Sequence, residues 1–309
     1  MKLKVLVALQ SFSKYSETPC KLLQEAGVAI VLNKLGHRLN QMEIIQLGKD
    51  CDAVIAGVEP YDEHVLNNLP NLKCISRSGV GIDNIDIEKA EQKGIAILNT
   101  PDVVVQPVAE MTIAMIFDLL RLLTLHTNWL KSGRWEKLAG HLLSGRKVGI
   151  IGLGRIGKRV AEMLKVLNAD VYGFDIYPDR VWADMHGVKI TSLQSILEVS
   201  DVLCLHVSVS KENPFILGKG EIAQMKKDSI IINTSRGQVI DEGALYEALK
   251  SGHLGGAGLD VFGNEPYHGA LCELENVVLT PHISTLTEES RAEMEMQAVE
   301  NLLRYFKYK

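Results

Sequence analysis

The sequence of 309 residues predicts an α/β protein built from two doubly wound parallel-sheet domains. Short apolar runs alternate with amphipathic helical patterns along the chain, and this alternation begins twice, once near residue 4 and once near residue 147. Apolar runs without period-2 alternation are typical of parallel strands that are buried on both faces. The chain length also agrees with about two domains.

The first hundred residues predict the smaller domain, which we expect to be flavodoxin-like. Its strands are predicted at Lys4–Leu9, Ala29–Leu32, Ala53–Ala56, Lys73–Ser76 and Ile95–Asn99. The segment Glu288–Tyr308 carries apolar residues at helical spacing, and we expect it to pack back onto this domain. The substrate domain is therefore predicted to be discontinuous, comprising residues 1–100 and 286–309.

Residues 101–285 predict the second domain, which begins with a long apolar helix over Pro107–Leu125. We expect this helix to bridge the two domains. Helical patterns such as Arg155–Leu167 and Asp241–Lys250 then separate the strands. These strands are predicted at Val148–Ile151, Val171–Phe174, Val202–His206, Ile230–Asn233, Gly256–Asp260 and Val277–Thr280.

The first strand–helix turn of the second domain has the pattern Gly-x-Gly-x-x-Gly. Gly152 allows the tight turn, Gly154 lets backbone approach a pyrophosphate, and Gly157 lets the helix pack closely on its strand. Asp175 closes the next apolar run, where it can accept hydrogen bonds from a ribose diol. A glycine turn can exist without a ligand, but here strand, helix and acid all lie where a dinucleotide needs them. We therefore predict a Rossmann-like domain that binds NAD, because Asp175 would repel the 2′-phosphate of NADP.

Three polar residues follow three of the predicted strands: Arg236, Glu265 and His282. The carboxyl ends of parallel strands meet at one edge of a sheet, so we expect these side chains on one rim. Taken singly, each could be a surface or packed residue. Together with a dinucleotide site, they match hydride transfer at a hydroxyl. Histidine can move the hydroxyl proton, a carboxylate can orient that histidine, and arginine can clamp a substrate carboxylate.

At these residues the sequence resembles the D-isomer-specific 2-hydroxyacid dehydrogenase family, most closely its phosphoglycerate dehydrogenase branch in a short form without a regulatory domain. The motifs that carry the resemblance span essentially the whole chain: Arg77-Ser-Gly-Val-Gly-Ile-Asp-Asn-Ile-Asp86, Val108-Ala-Glu110, Gly152-Leu-Gly-Arg-Ile-Gly157, Ile232-Asn-Thr-Ser-Arg-Gly237, Gly258-Leu-Asp-Val-Phe262, Glu265-Pro266 and Pro281-His282. The resemblance implies an NAD-dependent enzyme that transfers hydride between nicotinamide and C2 of a small D-2-hydroxy or 2-keto acid.

The resemblance also implies a role for each site residue. It makes Arg236 the binder of the substrate carboxylate, Glu265 the partner of the histidine, and His282 the general acid/base. The implied cofactor contacts are Gly152, Gly154, Arg155, Ile156, Gly157, Asp175, His206, Thr234 and Asp260, of which the last two face the nicotinamide half. The implied substrate contacts are Arg77, Ser78, Gly79 and Val80, with backbone N–H groups of the Ser78–Val80 loop on the substrate carboxylate. A homodimer formed through the Val108–Leu125 helix is implied as well.

Departures from the family pattern leave the substrate open. Val104 replaces a usual Asn, Pro107 replaces a small residue, and Ser208 replaces the proline of a His-x-Pro sequence. Arg77 matches phosphoglycerate dehydrogenases, but the arginine that helps animal-type members to hold the phosphate is missing after Ala56. Phosphoglycerate, glyoxylate or hydroxypyruvate, and larger 2-hydroxy acids all stay open. Two rivals from other classes are an NADH-sensing corepressor and a phosphonate- or formate-oxidising member.

Composition excludes several other functions. The formal net charge of −5 gives no electrostatic footprint for nucleic acid, and no basic run suggests a membrane surface. The five cysteines are scattered without zinc or redox spacing. We therefore expect no metal site, no nucleic-acid or membrane partner, and reduced thiols in a cytoplasmic protein.

Overall fold

The computed structural model describes residues 2–207 and 217–307, so Ser208 and Tyr308 lie outside the described part of the chain. The chain divides into two compact units, Met1–Val104 with Leu286–Lys309, and Val105–Thr285. Each unit contains one parallel sheet flanked by helices. The predicted α/β fold with two parallel sheets is confirmed.

The first unit is built on a five-stranded sheet in the order β2-β1-β3-β4-β5. The strands are β1 (Lys4–Val7), β2 (Ala29–Leu32), β3 (Ala53–Ala56), β4 (Cys74–Arg77) and β5 (Ala96–Leu98). The helices are α1 (Thr18–Glu25), α2 (Gln41–Gly48), α3 (Glu63–Asn67), α4 (Ile87–Gln92) and α12 (Glu288–Tyr305). The central strands β1 and β3 are buried on both faces, as continuous apolar runs in a parallel sheet require.

The C-terminal helix α12 packs on the sheet of the first unit. Ala298, Val299 and Leu302 are fully buried in the same cluster as residues of β1 and β3. The hydroxyl of Ser76 donates a hydrogen bond of 2.7 Å to the backbone carbonyl of Ala298. These contacts explain how chain segments far apart in sequence form one compact unit.

The second unit is built on a seven-stranded sheet in the order β12-β11-β10-β9-β6-β7-β8. Its strands are β6 (Lys147–Ile151), β7 (Asp170–Phe174), β8 (Lys189–Ile190), β9 (Val202–Leu205), β10 (Ser229–Asn233), β11 (Leu254–Leu259) and β12 (Val277–Leu279). Its helices are α5 (Val105–Arg121), α6 (Leu123–Lys131), α7 (Arg155–Val166), α8 (Arg180–His186), α9 (Leu193–Val199), α10 (Lys219–Gln224) and α11 (Glu242–Lys250). Strand β6 pairs with β7 on one side and β9 on the other, which makes it the switch point of the sheet, where ligands bind in such folds.

The prediction of a single helix over Pro107–Leu125 was wrong, because the structure divides it into α5 and α6. Leu122 lies between them in a left-handed conformation with φ of 57°. The carboxylate of Asp118 accepts hydrogen bonds from the backbone N–H (2.8 Å) and hydroxyl (2.6 Å) of Thr124. This side chain therefore caps the start of α6 and stabilises the break. An uninterrupted apolar pattern carries no signal of such a cap.

No helix in residues 2–207 and 217–307 is both long enough and apolar enough to cross a membrane.

Candidate active site

Three glycines shape the backbone of the turn after β6, and each is required for a different structural reason. Gly152 has φ of +92°, and a Cβ there would collide with the carbonyl oxygen of His206. A Cβ on Gly157 would collide with the carbonyl oxygen of Gly152, whereas a Cβ on Gly154 would meet no atom within 4 Å. Packing within the protein therefore explains Gly152 and Gly157. It does not explain Gly154, whose open backbone at the N-terminus of α7 leaves room for a phosphate.

Asp175 follows β7 and is tied to the same turn. Its Oδ2 accepts a hydrogen bond of 2.7 Å from the backbone N–H of Leu153, and its Oδ1 accepts one of 2.9 Å from that of Tyr177. Each carboxylate oxygen keeps a further lone pair that can accept from a ribose hydroxyl. Arg155 and Ile156 are the first residues of α7 and lie at the N-terminus that follows Gly154.

His206 follows β9 and borders the glycine turn. Its backbone N–H donates a hydrogen bond of 2.8 Å to the carbonyl of Ile151. Both ring nitrogens are buried, and neither has a hydrogen-bond partner within the described chain. Burial lowers the pKa of His206 to about 4, so the ring is neutral at pH 7. A neutral ring offers one donor and one acceptor, which a bound polar group could satisfy.

Thr234 follows β10 and is buried. Its hydroxyl oxygen lies 3.0 Å from that of Thr112 on α5, and the hydroxyl of Thr112 donates a 2.9 Å hydrogen bond to the carbonyl of Val108. Because the single proton of Thr112 is used there, the hydroxyl of Thr234 donates to Thr112. The oxygen of Thr234 can then act only as an acceptor toward any further group.

Arg236 lies on the same strand-end turn. Its Nη1 donates a 2.8 Å hydrogen bond to the carbonyl of Ser235, and the side-chain amide of Asn233 donates one of 2.9 Å to the carbonyl of Arg236. A Cβ on Gly237 would collide with the backbone of Phe262. The turn that carries Arg236 is therefore in direct backbone contact with the turn that follows β11.

Glu265 and His282 are in hydrogen-bond contact. Oε2 of Glu265 lies 2.9 Å from Nδ1 of His282, and Oε1 of Glu265 accepts a 3.1 Å hydrogen bond from the backbone N–H of Phe262. A carboxylate can only accept, so Nδ1 carries the hydrogen and Nε2 is left to exchange a proton with a substrate. The two side chains are 38% and 48% exposed, so solvent screens their attraction and orientation is the main effect of the contact.

Asp260 organises the turn on which His282 lies. His282 adopts a left-handed conformation with φ of +54°. The fully buried carboxylate of Asp260 accepts 2.8 Å hydrogen bonds from the backbone N–H groups of Ile283 and Ser284, and further bonds from the hydroxyls of Thr280 and Ser284. The nicotinamide contact expected for Asp260 stays a prediction.

The loop after β4, residues 77–81, belongs to the first unit. The backbone N–H of Ser78 donates to a carbonyl at the end of β3 (2.9 Å), and that of Gly79 donates to the hydroxyl of Thr100 (2.8 Å). Within the described residues, no hydrogen bond starts from the N–H of Val80. Of the three N–H groups predicted to bind a substrate carboxylate, two therefore donate to groups of the first unit that lie outside the loop.

Arg77 is folded onto this same loop. Its Nε donates a 3.1 Å hydrogen bond to the carbonyl of Gly81, and its Nη1 donates to the carbonyl of Ser78. The guanidinium also covers Gly79, whose φ is +135° and where a Cβ would collide with it. In this position the side chain braces the loop.

The strand-end residues of the site could be predicted from the sequence, but the hydroxyl groups that hydrogen-bond to them could not. Thr112, Thr280 and Ser284 gave no signal, because a single hydroxyl on a helix or turn has no diagnostic spacing. Among the described residues, no group of three or more His, Cys, Asp or Glu side chains could hold a metal ion. The residues around the glycine turn do fit a dinucleotide, as three features show: the open Gly154, the remaining lone pairs of Asp175, and the ring of His206, which has no hydrogen-bond partner among the described residues.

Comparisons with known proteins identify the family of this chain. The sequence model of the D-isomer specific 2-hydroxyacid dehydrogenase, NAD binding domain, matches residues 113–284. A glyoxylate reductase from Korarchaeum cryptofilum is 36% identical over 271 residues, which cover 85% of this chain and 82% of that protein. A D-3-phosphoglycerate dehydrogenase from Archaeoglobus fulgidus is 36% identical over 306 residues, which cover 97% of this chain but only 57% of that protein.

The crystal structure of the TT0316 protein from Thermus thermophilus has the same fold. It superimposes with a TM-score of 0.89 at 31% identity and covers 97% of this chain and 96% of that one. The family match and the two relatives together show what kind of protein this is. The chain belongs to the D-isomer specific 2-hydroxyacid dehydrogenase family, oxidoreductases that interconvert 2-hydroxy and 2-keto acids with NAD(P).

Proposed function

We propose that this chain is an NAD-dependent reductase of small unphosphorylated 2-keto acids, such as glyoxylate or hydroxypyruvate, which also runs in reverse as a D-2-hydroxyacid dehydrogenase. The 2.9 Å contact between Glu265 and His282 carries the proposal, because it supplies an oriented acid–base group. This pair follows strands of the same parallel sheet as the glycine turn, at the edge where such folds bind ligands.

The proton steps follow from the hydrogen bonds of the pair. Bound nicotinamide supplies the hydride for reduction and accepts it in oxidation. In reduction, protonated His282 gives the proton at Nε2 to the oxygen of the former ketone, while Glu265 stabilises the imidazolium by accepting from Nδ1. In oxidation, neutral His282 removes the hydroxyl proton at Nε2. Arg236 binds the substrate carboxylate, for which its planar fork is suited.

The charges around Asp175 support NAD as the cofactor. A 2′-phosphate would have to lie against the carboxylate of Asp175, which is fixed by two backbone N–H groups. The nearby cation Lys158 is already paired with Asp179 at 2.7 Å. NADH should therefore have a kcat/KM at least tenfold above that of NADPH, since an unpaired charge beside the carboxylate costs roughly 1.4 kcal/mol or more. A preference for NADPH would refute this assignment.

The bracing role of Arg77 supports an unphosphorylated substrate. Two of its donors are used on loop carbonyls. Glu59 is 3% exposed, and its Oε2 accepts a 2.7 Å hydrogen bond from the N–H of Gly57. Burial and the charge of Glu59 raise the pKa of the buried Tyr61, while the charge of Arg77 lowers it, so both charges lie near that hydroxyl. A negative charge near the same hydroxyl as Arg77 makes this region less favourable for a substrate phosphate.

A 2-keto acid panel with NADH tests the proposal. We expect turnover of glyoxylate and hydroxypyruvate, and a kcat/KM for 3-phosphohydroxypyruvate at least tenfold lower. His282→Ala should lower kcat by about a hundredfold or more without changing the Kd for NADH, because general acid–base catalysis is lost and cofactor contacts are kept. His64→Ala, on the exposed face of α3, is the matched control.

Three results would change the assignment. Absence of turnover with every keto acid would favour the NADH-sensing corepressor. A best rate with 3-phosphohydroxypyruvate would favour the phosphoglycerate dehydrogenase branch, and Arg38, whose Nη2 donates to the carbonyl of Val58, would then be the cation to replace. Retained kcat in His282→Ala would remove the histidine from the mechanism.

A homodimer and a cytoplasmic location complete the proposal. Helix α6 and the extended segment after it expose large apolar side chains: Leu130 (58%), Trp135 (79%), Leu138 (51%) and Leu142 (72%). Such a cluster is typical of a surface covered by a partner. All five cysteines are free thiols, which suits a reducing compartment. Light scattering of the wild type and of Trp135→Glu tests the dimer, since the variant should be monomeric.

A further inference from the structure

Glu242 makes a contact that the mechanism above does not use. It lies in the first turn of α11, and its Oε1 accepts a 2.7 Å hydrogen bond from the backbone N–H of Gly263. Gly263 is on the turn after β11, two positions before Glu265. The contact therefore joins a helix of the second unit to the turn that carries half of the acid–base pair.

A short chain of hydrogen bonds leads from this contact to the histidine. Phe262 precedes Gly263, and its own N–H, which lies in the adjacent Val261–Phe262 peptide, donates a 3.1 Å hydrogen bond to Oε1 of Glu265. Oε2 of the same carboxylate contacts Nδ1 of His282 at 2.9 Å. Gly237 also packs against the Phe262–Gly263 peptide, because a Cβ there would collide with the backbone of Phe262 and Gly263. The Phe262–Gly263 peptide is thus held by two contacts, one from Glu242 and one from Gly237.

The neighbouring acid Asp241 has a separate duty. Its Oδ1 accepts a 3.0 Å hydrogen bond from the N–H of Ala244 and caps α11. Glu242 is not needed for this cap. An acid in the first turn also stabilises a helix through the macrodipole, wherever its carboxylate points. The macrodipole does not explain why the carboxylate of Glu242 accepts a hydrogen bond from the N–H of Gly263.

We propose that Glu242 is a positioning residue for the acid–base pair. Resting on the proposed roles of Glu265 and His282, it acts by fixing the Phe262–Gly263 peptide and with it the Cα of Phe262, so that the adjacent Val261–Phe262 peptide keeps its N–H directed at Glu265. An ionised carboxylate on a backbone N–H makes a charge-assisted hydrogen bond, which is stronger than a neutral one. In this role Glu242 acts through Glu265 and takes no part in the proton transfer itself.

Three substitutions of Glu242 separate this role from helix stabilisation. Glu242→Ala should lower kcat for glyoxylate reduction roughly three- to tenfold, with the Kd for NADH and the KM for glyoxylate unchanged. Glu242→Gln keeps an acceptor oxygen and should recover most of kcat. Glu242→Asp keeps the charge at the helix terminus but withdraws the carboxylate, so it should behave like the alanine variant. Asp241→Ala is the control, with a lower Tm and an unchanged kcat.

A double-mutant cycle with Glu265→Gln gives the decisive readout. If Glu242 acts through Glu265, Glu242→Ala should lower kcat less than twofold in the Glu265→Gln background. Additive losses, a fully active Glu242→Asp, or an equal loss in Asp241→Ala would overturn the proposal. If Glu242→Ala does not fold, Glu242→Asp replaces it in the cycle. Failure of the proposed function is distinct, since the wild type would then not turn over or His282→Ala would keep its kcat.

Discussion

Two left-handed turns at the edge of the seven-stranded sheet are stabilised in opposite ways. In the cofactor turn, the left-handed residue is Gly152, and neighbouring backbone leaves no room for a side chain. In the catalytic turn, the left-handed residue is His282, and the buried carboxylate of Asp260 accepts four hydrogen bonds from residues around it. A left-handed conformation costs a non-glycine residue roughly 1–2 kcal/mol, so the hydrogen bonds to Asp260 must offset it.

The cofactor turn and the catalytic turn should therefore be disrupted by different kinds of substitution. Adding an atom destroys the cofactor turn, because its shape depends on close backbone packing. Removing a charge destroys the catalytic turn, because its shape depends on one acceptor for several donors. The two kinds of substitution therefore separate loss of cofactor binding from loss of proton transfer.

The largest effect is expected at the glycine that packs the helix on its strand. In Gly157→Ala, the new Cβ would collide with the carbonyl oxygen of Gly152, so the unfolding free energy should fall by about 3 kcal/mol. The affinity for NADH should fall at least tenfold as the turn shifts. Chemical denaturation and fluorescence titration with NADH measure the two quantities.

Gly154→Ala is the matched control, because its Cβ meets no atom within 4 Å. This substitution at a helix N-cap should lower the unfolding free energy by less than about 1 kcal/mol. It should still weaken NADH binding about tenfold or more, because the Cβ occupies the space proposed for the phosphate. Normal NADH affinity in Gly154→Ala would contradict that placement.

The cofactor turn could be predicted from the sequence, and the catalytic turn only in part. Glycine lacks a side chain and readily adopts left-handed conformations, so the glycine pattern at Gly152 by itself predicts a tight turn. His282 was found because it follows a strand. Nothing in the sequence showed that its backbone is left-handed, or that Asp260 holds it through residues twenty or more positions away.

The positions of the strands could be predicted from the sequence more completely than the helix caps and the loop contacts. Most strands lie within a residue or two of the predicted positions, because buried parallel strands are continuous apolar runs. The short edge strand β8 has only two residues, and gave no such run. The cap of α6 by Asp118 and the bracing of the loop by Arg77 depend on tertiary hydrogen bonds, which periodicity does not encode.

The second prediction removes the charge at the catalytic turn. In Asp260→Asn, an amide NH2 replaces one acceptor oxygen and faces the N–H or hydroxyl donors of residues 280–284. The unfolding free energy should fall by about 2 kcal/mol, and kcat for glyoxylate should fall at least tenfold as His282 loses its orientation. Asp184→Asn, on the exposed face of α8, is the control.

Binding of ADP-ribose, which lacks nicotinamide, decides between two roles for Asp260. If Asp260 only positions the turn, Asp260→Asn should bind both NADH and ADP-ribose like the wild type. If Asp260 contacts the nicotinamide as the family resemblance implies, the Kd for NADH should rise while that for ADP-ribose stays the same. A rise in the Kd for NADH alone would mean that the catalytic turn also binds the cofactor. That result would contradict the division into a cofactor turn and a catalytic turn.

The last prediction concerns pH, and it places the sensitive group beside the cofactor turn. Burial lowers the pKa of His206 to about 4, whereas an unfolded histidine has a pKa of about 6.5. Between these values the unfolded chain binds a proton that the folded chain does not, so stability falls as pH falls from 6.5 toward 4. The loss at pH 5 should be roughly 2 kcal/mol relative to pH 7.

Three carboxylates with shifted pKa values act below that window or oppose the effect of His206. The pKa values of Asp52 and Asp201 are lowered from 3.8 by hydrogen bonds and nearby lysines, so these groups lose their stabilising effect below pH 4. Burial raises the pKa of Glu295, which has the opposite sign and stabilises the fold as pH falls. His206→Gln, unfolded by urea at pH 7 and pH 5, should therefore lose the difference that the wild type shows. An unchanged difference in the variant would mean that the acid sensitivity lies elsewhere in the fold and not beside the cofactor turn.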